Sequence, residues 1–153
     1  MIRPKKVGHV VLKAPDLAQA EKFYTQVLGF EVVARLTRPR GVFFTLGDQH
    51  HDLAVLEVPP EAEAPKDNQV GLHHVALQVE NFEELKECYR TLKSHNIPIV
   101  RAVDHGITKS IYFCDPAGNR LELYCDTGED GLARFRRQGA VALEDFPPLT
   151  FAD

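Results

Sequence analysis

The stretch His9-Val-Val-Leu-Lys-Ala-Pro-Asp-Leu17, read beside His74-Val-Ala-Leu-Gln-Val-Glu-Asn-Phe82, decides the fold. The second stretch follows the first by 65 residues. At that offset His9, Val10, Leu12 and Tyr24 match His74, Val75, Leu77 and Tyr89, while Leu17 falls opposite Phe82 and Glu57 opposite Glu122. Self-similarity at a fixed period marks a duplicated structural unit. The punctuation recurs as well. Each copy opens on a β-rich run, Lys6–Lys13 and Leu72–Val79. Each continues with a capping-box pattern, Asp16 with Gln19 and Asn81 with Glu84, in which a short polar side chain takes up orphan N–H groups. Helical spacing follows at Leu17, Ala20, Tyr24, Val27 and Leu28, and at Phe82, Leu85, Tyr89 and Leu92. Gly29 can close the first helix with a positive φ, and His95-Asn96 ahead of Ile97-Pro98 closes the second. Three strand-like runs complete each copy: Phe30–Leu36, Val42–Leu46 and Leu53–Val58, then Pro98–Val103, Ser110–Cys114 and Arg120–Cys125.

The order is β-α-β-β-β, twice, which makes an α+β chain. The first module spans 6–58, a Pro/Glu/Ala-rich linker 59–70, the second module 71–126 and a tail 127–153, with a short helix around Leu132–Arg137. Units of roughly 60 residues are marginal alone. The modules are therefore expected to pair into a single domain, 1–153, as a cupped mixed β-sheet around a metal site, with one helix outside each half.

Composition narrows the function classes. The chain has 153 residues and a net charge of −4. A mildly acidic chain lacks the basic face of a nucleic-acid binder. No apolar run approaches the ~20 residues of a membrane span, and Met1–Val7 lacks the apolar core of a secretory signal. The three cysteines, Cys88, Cys114 and Cys125, are odd in number and show no CxxC spacing. Together these features predict a cytoplasmic protein of a reducing compartment.

Two histidines, His9 and His74, open equivalent strands of a duplicated unit. A pseudo-twofold axis between the halves would bring them toward each other. A lone histidine there would read as a hydrogen-bonded core residue; a repeat-matched pair reads better as ligands. Glu122 lies between Leu121 and Leu123, so strand alternation turns it to the face opposite both leucines. A carboxylate buried there needs partners. Two histidines and one carboxylate form the facial triad of non-haem Fe(II) sites, which leaves coordination positions open. By the same alternation His51, Leu53, Val55 and Glu57 share one face, and Tyr112 shares another with Cys114. His105 sits in the loop ahead of the strand carrying Tyr112. On the concave side of a sheet, His51, His105 and Tyr112 would line the metal site.

The paired units and the strings GHVVL (Gly8–Leu12), HHDLAV (His50–Val55), LHHVAL (Leu72–Leu77) and DHGITKSIYFCDPAGNRLELY (Asp104–Tyr124) resemble the vicinal-oxygen-chelate superfamily. That group includes glyoxalase I, bleomycin-resistance proteins and extradiol dioxygenases. The resemblance covers residues 6 to 126 and is strongest to the catalytic domain of type I extradiol enzymes, many of which carry a further N-terminal pair of modules. It implies His9, His74 (not His73) and Glu122 as metal ligands, and His51, His105 and Tyr112 as catalytic groups. It implies Fe(II), with Mn(II) as the alternative, a catechol-type substrate and O₂. No nucleic-acid or membrane partner is expected, and a homo-oligomer is. Two rival readings stay open. A glyoxalase-type lyase or isomerase would add Glu57 to a four-ligand set with His9, His74 and Glu122, suited to Ni or Zn. A metal-free, bleomycin-resistance-like protein would bind an aromatic ligand.

Overall fold

Each copy of the repeat folds around the apolar face of one helix. A computed structural model describes residues 1–64, 66, 68–139 and 146–151. The first copy runs β1 (Val10–Ala14), α1 (Leu17–Gln26), β2 (Glu31–Thr37), β3 (Arg40–Thr45) and β4 (Leu53–Glu57). The second runs β5 (Val75–Gln78), α2 (Phe82–Ser94), β6 (Ile99–Asp104), β7 (Thr108–Cys114) and β8 (Arg120–Asp126), followed by α3 (Gly131–Gln138). The chain divides into two compact units, Met1–Gly71 with Asp115–Asn119, and Leu72–Cys114 with Arg120–Asp153. The turn joining β7 to β8 thus belongs to the first unit.

Both helices begin as the capping pattern predicts. Asp16 accepts from the Gln19 N–H and Asn81 from the Glu84 N–H, each satisfying an orphan donor of the first turn. Glu84 reaches back past the cap and accepts from the Glu80 N–H at 2.9 Å. Asn96 closes α2 with a φ of 56°. The strand before α1 is shorter than Lys6–Lys13, because its partner β4 begins at Leu53, opposite Val10; residues 6 to 9 have no ladder to join and stay exposed.

Each unit holds a four-stranded mixed sheet, in the orders β1-β4-β3-β2 and β5-β8-β7-β6. In each, the first and last strands pair parallel and the remaining neighbours antiparallel. The edge strands β2 and β6 carry the same irregularity, between Val32 and Ala34 and between Ile99 and Arg101. α1 packs on β2, β3 and β4, and α2 on β7 and β8. Phe23 and Tyr24 of α1 are buried with Leu12, Val42, Phe44, Leu53 and Val55 of the first sheet; Leu85 and Leu92 of α2 are buried with Ile111, Phe113, Leu121 and Leu123 of the second. Each such side chain contributes roughly 1.5–3 kcal/mol by leaving water.

The register corrects one pairing. Val10 opposite Leu53 corresponds to Val75 opposite Leu121. The counterpart of Glu122 is therefore Ala54, and Glu57 corresponds to Cys125. The 65-residue offset holds through β1 and β5 but grows to 68 at the last strand, because α2 has 13 residues where α1 has 10.

Candidate functional site

Alternation along β8 puts Leu121, Leu123 and Cys125 in the core and turns Glu122 to the other face. Glu122 is only 7% exposed, so its charge must be met locally. Ladder register sets Ala76, Glu122, Tyr112 and Arg101 in one row across the second sheet. The Tyr112 hydroxyl donates to Glu122 Oε1 at 2.9 Å. His74 Nε2 lies 2.9 Å from Glu122 Oε2, and His105 Nε2 lies 3.0 Å from the Tyr112 hydroxyl.

The donors fix the tautomers. Tyr112 has one proton and gives it to Glu122, so its oxygen accepts at the other end and His105 donates from Nε2. Its Nδ1 is then the unprotonated nitrogen. His74 Nε2 faces the carboxylate, and its Nδ1 lies 2.7 Å from His73 Nδ1. His73 Nε2 in turn faces Arg120 Nη1 at 3.4 Å. Of the two adjacent histidines, His74 reaches the carboxylate and His73 turns to Arg120.

Burial shifts these groups. It pushes Tyr112 up, with help from its bond to Glu122, to about 12. It pushes His105 below the ordinary 6.5; Glu122 pulls the other way and Arg101 adds to the fall. At neutral pH the phenol therefore keeps its proton and the imidazole is neutral.

The first unit supplies a second group of residues. His51 stacks on Phe43 with ring centroids 4.6 Å apart and meets His9 at 4.3 Å. His50 Nδ1 lies 2.5 Å from His51 Nδ1. Desolvation, then the neighbouring His9 and His50, lower the His51 pKa. The alternation placing His51 on the face of Leu53, Val55 and Glu57 does not hold, since β4 starts only at Leu53. Asp52 instead closes a turn there, accepting from the Leu46 N–H at 2.7 Å and from Gln49 Nε2 at 2.5 Å. Glu57 shares its parity with Leu53 and Val55, toward α1, and pairs with Arg40 Nη1 at 2.7 Å.

The six sequence-derived site residues thus fall into two sets. His74, Glu122, Tyr112 and His105 form one hydrogen-bonded series in the second unit, and His9 and His51 are ring neighbours in the first. Among the described residues, no three His, Cys, Asp or Glu side chains form a ready-made metal group. The donor set still fits a first-row divalent ion. Two adjacent ligands at ~2.1 Å from such an ion stand about 3 Å apart, close to the His74–Glu122 separation. A ligating histidine typically donates its other ring N–H to a partner, and with Nε2 on a metal His74 Nδ1 would have His73 Nδ1 within reach, 2.7 Å away. Phe43, Arg101 and the His73–Arg120 contact escaped the sequence reading. Phe43 could have been found from alternation in β3, whereas Arg101 is hidden by the bulge.

The sequence profile of the glyoxalase/bleomycin resistance protein/dioxygenase superfamily matches residues 6–123. The chain belongs to this superfamily. Within it the chain is similar to proteins of different activities. It is 33% identical over 127 residues to a biphenyl-2,3-diol 1,2-dioxygenase of Rhodococcus globerulus, covering 82% of this chain and 65% of that one. It is 26% identical over 137 residues to the metallothiol transferase FosB of Staphylococcus saprophyticus, covering 88% and 85%. It resembles the crystal structure of a lactoylglutathione lyase from Agrobacterium tumefaciens with a TM-score of 0.63, 28% identity and coverage of 80% and 94%. Against the dioxygenase relatives the superfamily member described here spans 40% to 65% of their length. No helix among its described residues is long and apolar enough to cross a membrane.

Proposed function

We propose that the chain is an Fe(II)-dependent extradiol dioxygenase that cleaves a catechol-type ring with O₂. The observation that carries the reading is the unbroken series His105–Tyr112–Glu122–His74, which joins two proton-handling groups to two metal-type donors. Support also comes from the biphenyl-2,3-diol and catechol dioxygenases among the relatives. His9, His74 and Glu122 are the proposed ligands. Fe(II), when bound, supplies open positions at which a catechol and O₂ meet and the electrons pass.

The chain's own residues handle the protons. Tyr112 keeps its proton and orients Glu122 through it, which fixes the carboxylate before any ligand arrives. His105 is neutral, with Nδ1 free to accept a hydroxyl proton from a catechol. His51, neutral and held flat on Phe43, takes a proton and returns it within one turnover. The rival isomerase reading needs Glu57 as a ligand, and that side chain shares the strand parity of Leu53 and Val55 and is engaged by Arg40.

The test is O₂ uptake with a small panel of catechols after anaerobic loading with Fe(II) or Mn(II). Uptake in stoichiometry with ring-opened product supports the proposal. Inactivity with every catechol, together with turnover of a hemithioacetal by the Ni- or Zn-loaded protein, overturns it.

A further inference from the structure

Among the described residues, His105 is held by a hydrogen bond at one ring nitrogen, Nε2 to Tyr112. One bond leaves the ring free to swing about that axis, so something else must set its plane. Its loop is well braced. The His105 N–H donates to the Thr108 carbonyl at 2.8 Å, and Thr127 Oγ1 donates to the Gly106 carbonyl at 2.7 Å. Those contacts fix the backbone and leave the imidazole untouched.

The segment 146–151 reaches the imidazole. It lies along the free edge of β6: Asp104 N–H donates to the Pro147 carbonyl at 3.1 Å, Leu149 N–H donates to the Ala102 carbonyl at 3.0 Å, and Val103 bridges Pro148. At its far end Phe151 stacks on Tyr89 of α2, centroids 4.4 Å apart and planes 17° from parallel. At its near end the Phe146 ring meets His105 edge-to-face, at 4.8 Å and 85°. Such a pair prefers the edge-to-face arrangement over a stacked sandwich. Backbone pairing thus delivers the Phe146 ring onto His105, closer than the Tyr112 ring, whose centroid lies 6.3 Å away.

We infer that Phe146 is a positioning residue: the C-terminal segment acts as a strap that sets the plane of His105, and with it the direction of the free Nδ1. The catalytic half of this inference rests on the dioxygenase reading; the positioning half rests on the fold alone. A misaligned base loses much of its effect, so Phe146→Ala lowers kcat by about 10-fold with KM and iron content little changed. Phe146→Leu keeps less of the rate than Phe146→Tyr, which preserves the ring.

The decisive readout needs no turnover. In ¹⁵N-labelled, metal-free protein, the ring signals of His105 are assigned by their loss in His105→Gln. The parent is expected to show one tautomer, ring-current-shifted by Phe146, with a cross-peak to Tyr112. Phe146→Ala loses the shift and the single tautomer, and Phe151→Ala, which loosens the far end of the strap, moves the same signals part of the way. Unchanged His105 ring tautomer and Tyr112 cross-peak in a folded Phe146→Ala overturns the proposal. If the signals move as described but the parent oxidises no catechol, the positioning stands and the dioxygenase reading falls.

Discussion

The row that runs Ala76, Glu122, Tyr112, Arg101 across the second sheet runs Val11, Ala54, Phe43, Ala34 across the first. Strand order, the parallel closing pair and the edge bulge are the same in both. A buried carboxylate requires donors, so Glu122 comes with Tyr112 and His74. Alanine at the same place in the first sheet requires none, and there the phenol is replaced by the plain ring of Phe43, which serves as a stacking surface for His51. The duplicated scaffold tolerates either solution because the side chains on this face play little part in holding the helix. The polar series and the helix-packing core lie on opposite faces of the same strands.

The helices differ in a parallel way. Tyr24 and Tyr89 are repeat partners. Tyr24 is fully buried, and its hydroxyl donates to Asp115 at 2.8 Å within the first unit; burial first, then Asp115, push its pKa far above the ordinary 10.0. Asp115 also accepts from the Ala117 and Asn119 N–H groups, in a turn where Gly118 adopts a φ of 85° and a Cβ would fall 2.7 Å from that of Ala64. Tyr89 is half-buried and covered by Phe151.

The contrast between the two sheets is broken most severely at Glu122. Glu122→Ala, His74→Ala and His9→Ala are each expected to abolish metal retention and activity with the far-ultraviolet circular dichroism unchanged. Glu57→Gln is expected to keep both, and metal loss from that variant would restore the four-ligand isomerase reading. Next in size is His51→Ala, for which turnover falls roughly 10²–10⁴-fold, the worth of a positioned acid or base, with iron content intact. Parent-level O₂ consumption by iron-replete His51→Ala would remove it from the proton chemistry.

Tyr24→Phe leaves a buried carboxylate short of one donor and is expected to cost about 1–3 kcal/mol in urea unfolding. Tyr89→Phe, which removes a hydroxyl without that role, stays within ~0.5 kcal/mol. Equal costs would erase the distinction drawn between the helices. The smallest effect is the pH dependence of His105. Its pKa in the fold lies below 6.5, so between the two values the unfolded chain binds a proton that the folded chain does not. Stability therefore rises with pH through that window and is lost as pH falls below about 6.5. His105→Asn should flatten that acid slope in thermal unfolding followed from pH 7 to 5.

The fold was legible because its signals are local. Asp16 and Asn81 cap their helices by contacts three residues away, and apolar spacing fixed which side of each strand meets a helix. The second-unit series was legible for the same reason: Glu122 and Tyr112 sit inside regular strands, where alternation holds. Alternation failed at His51, beyond the start of β4, and at Arg101, beyond a bulge that resets the parity of β6. Glu57 was misaligned because a constant offset ignores the residues added between the first and last strands. Phe146 is about 40 residues from His105 along the chain, and nothing in either local pattern announces an edge pairing with β6.

The parallel pairs have a kinetic consequence. Val10 waits for Leu53, 43 residues on, and Val75 for Leu121, 46 residues on. The β2–β3 and β6–β7 ladders join strands that are consecutive in the chain and can form early. Closing each module requires its last strand to find its first over a long loop, and such non-local pairing slows folding. On a ribosome, neither sheet can be finished until its final strand has emerged. The strap 146–151 follows both sheets in the chain, so Phe146 is expected to reach His105 only after β6 has emerged and paired.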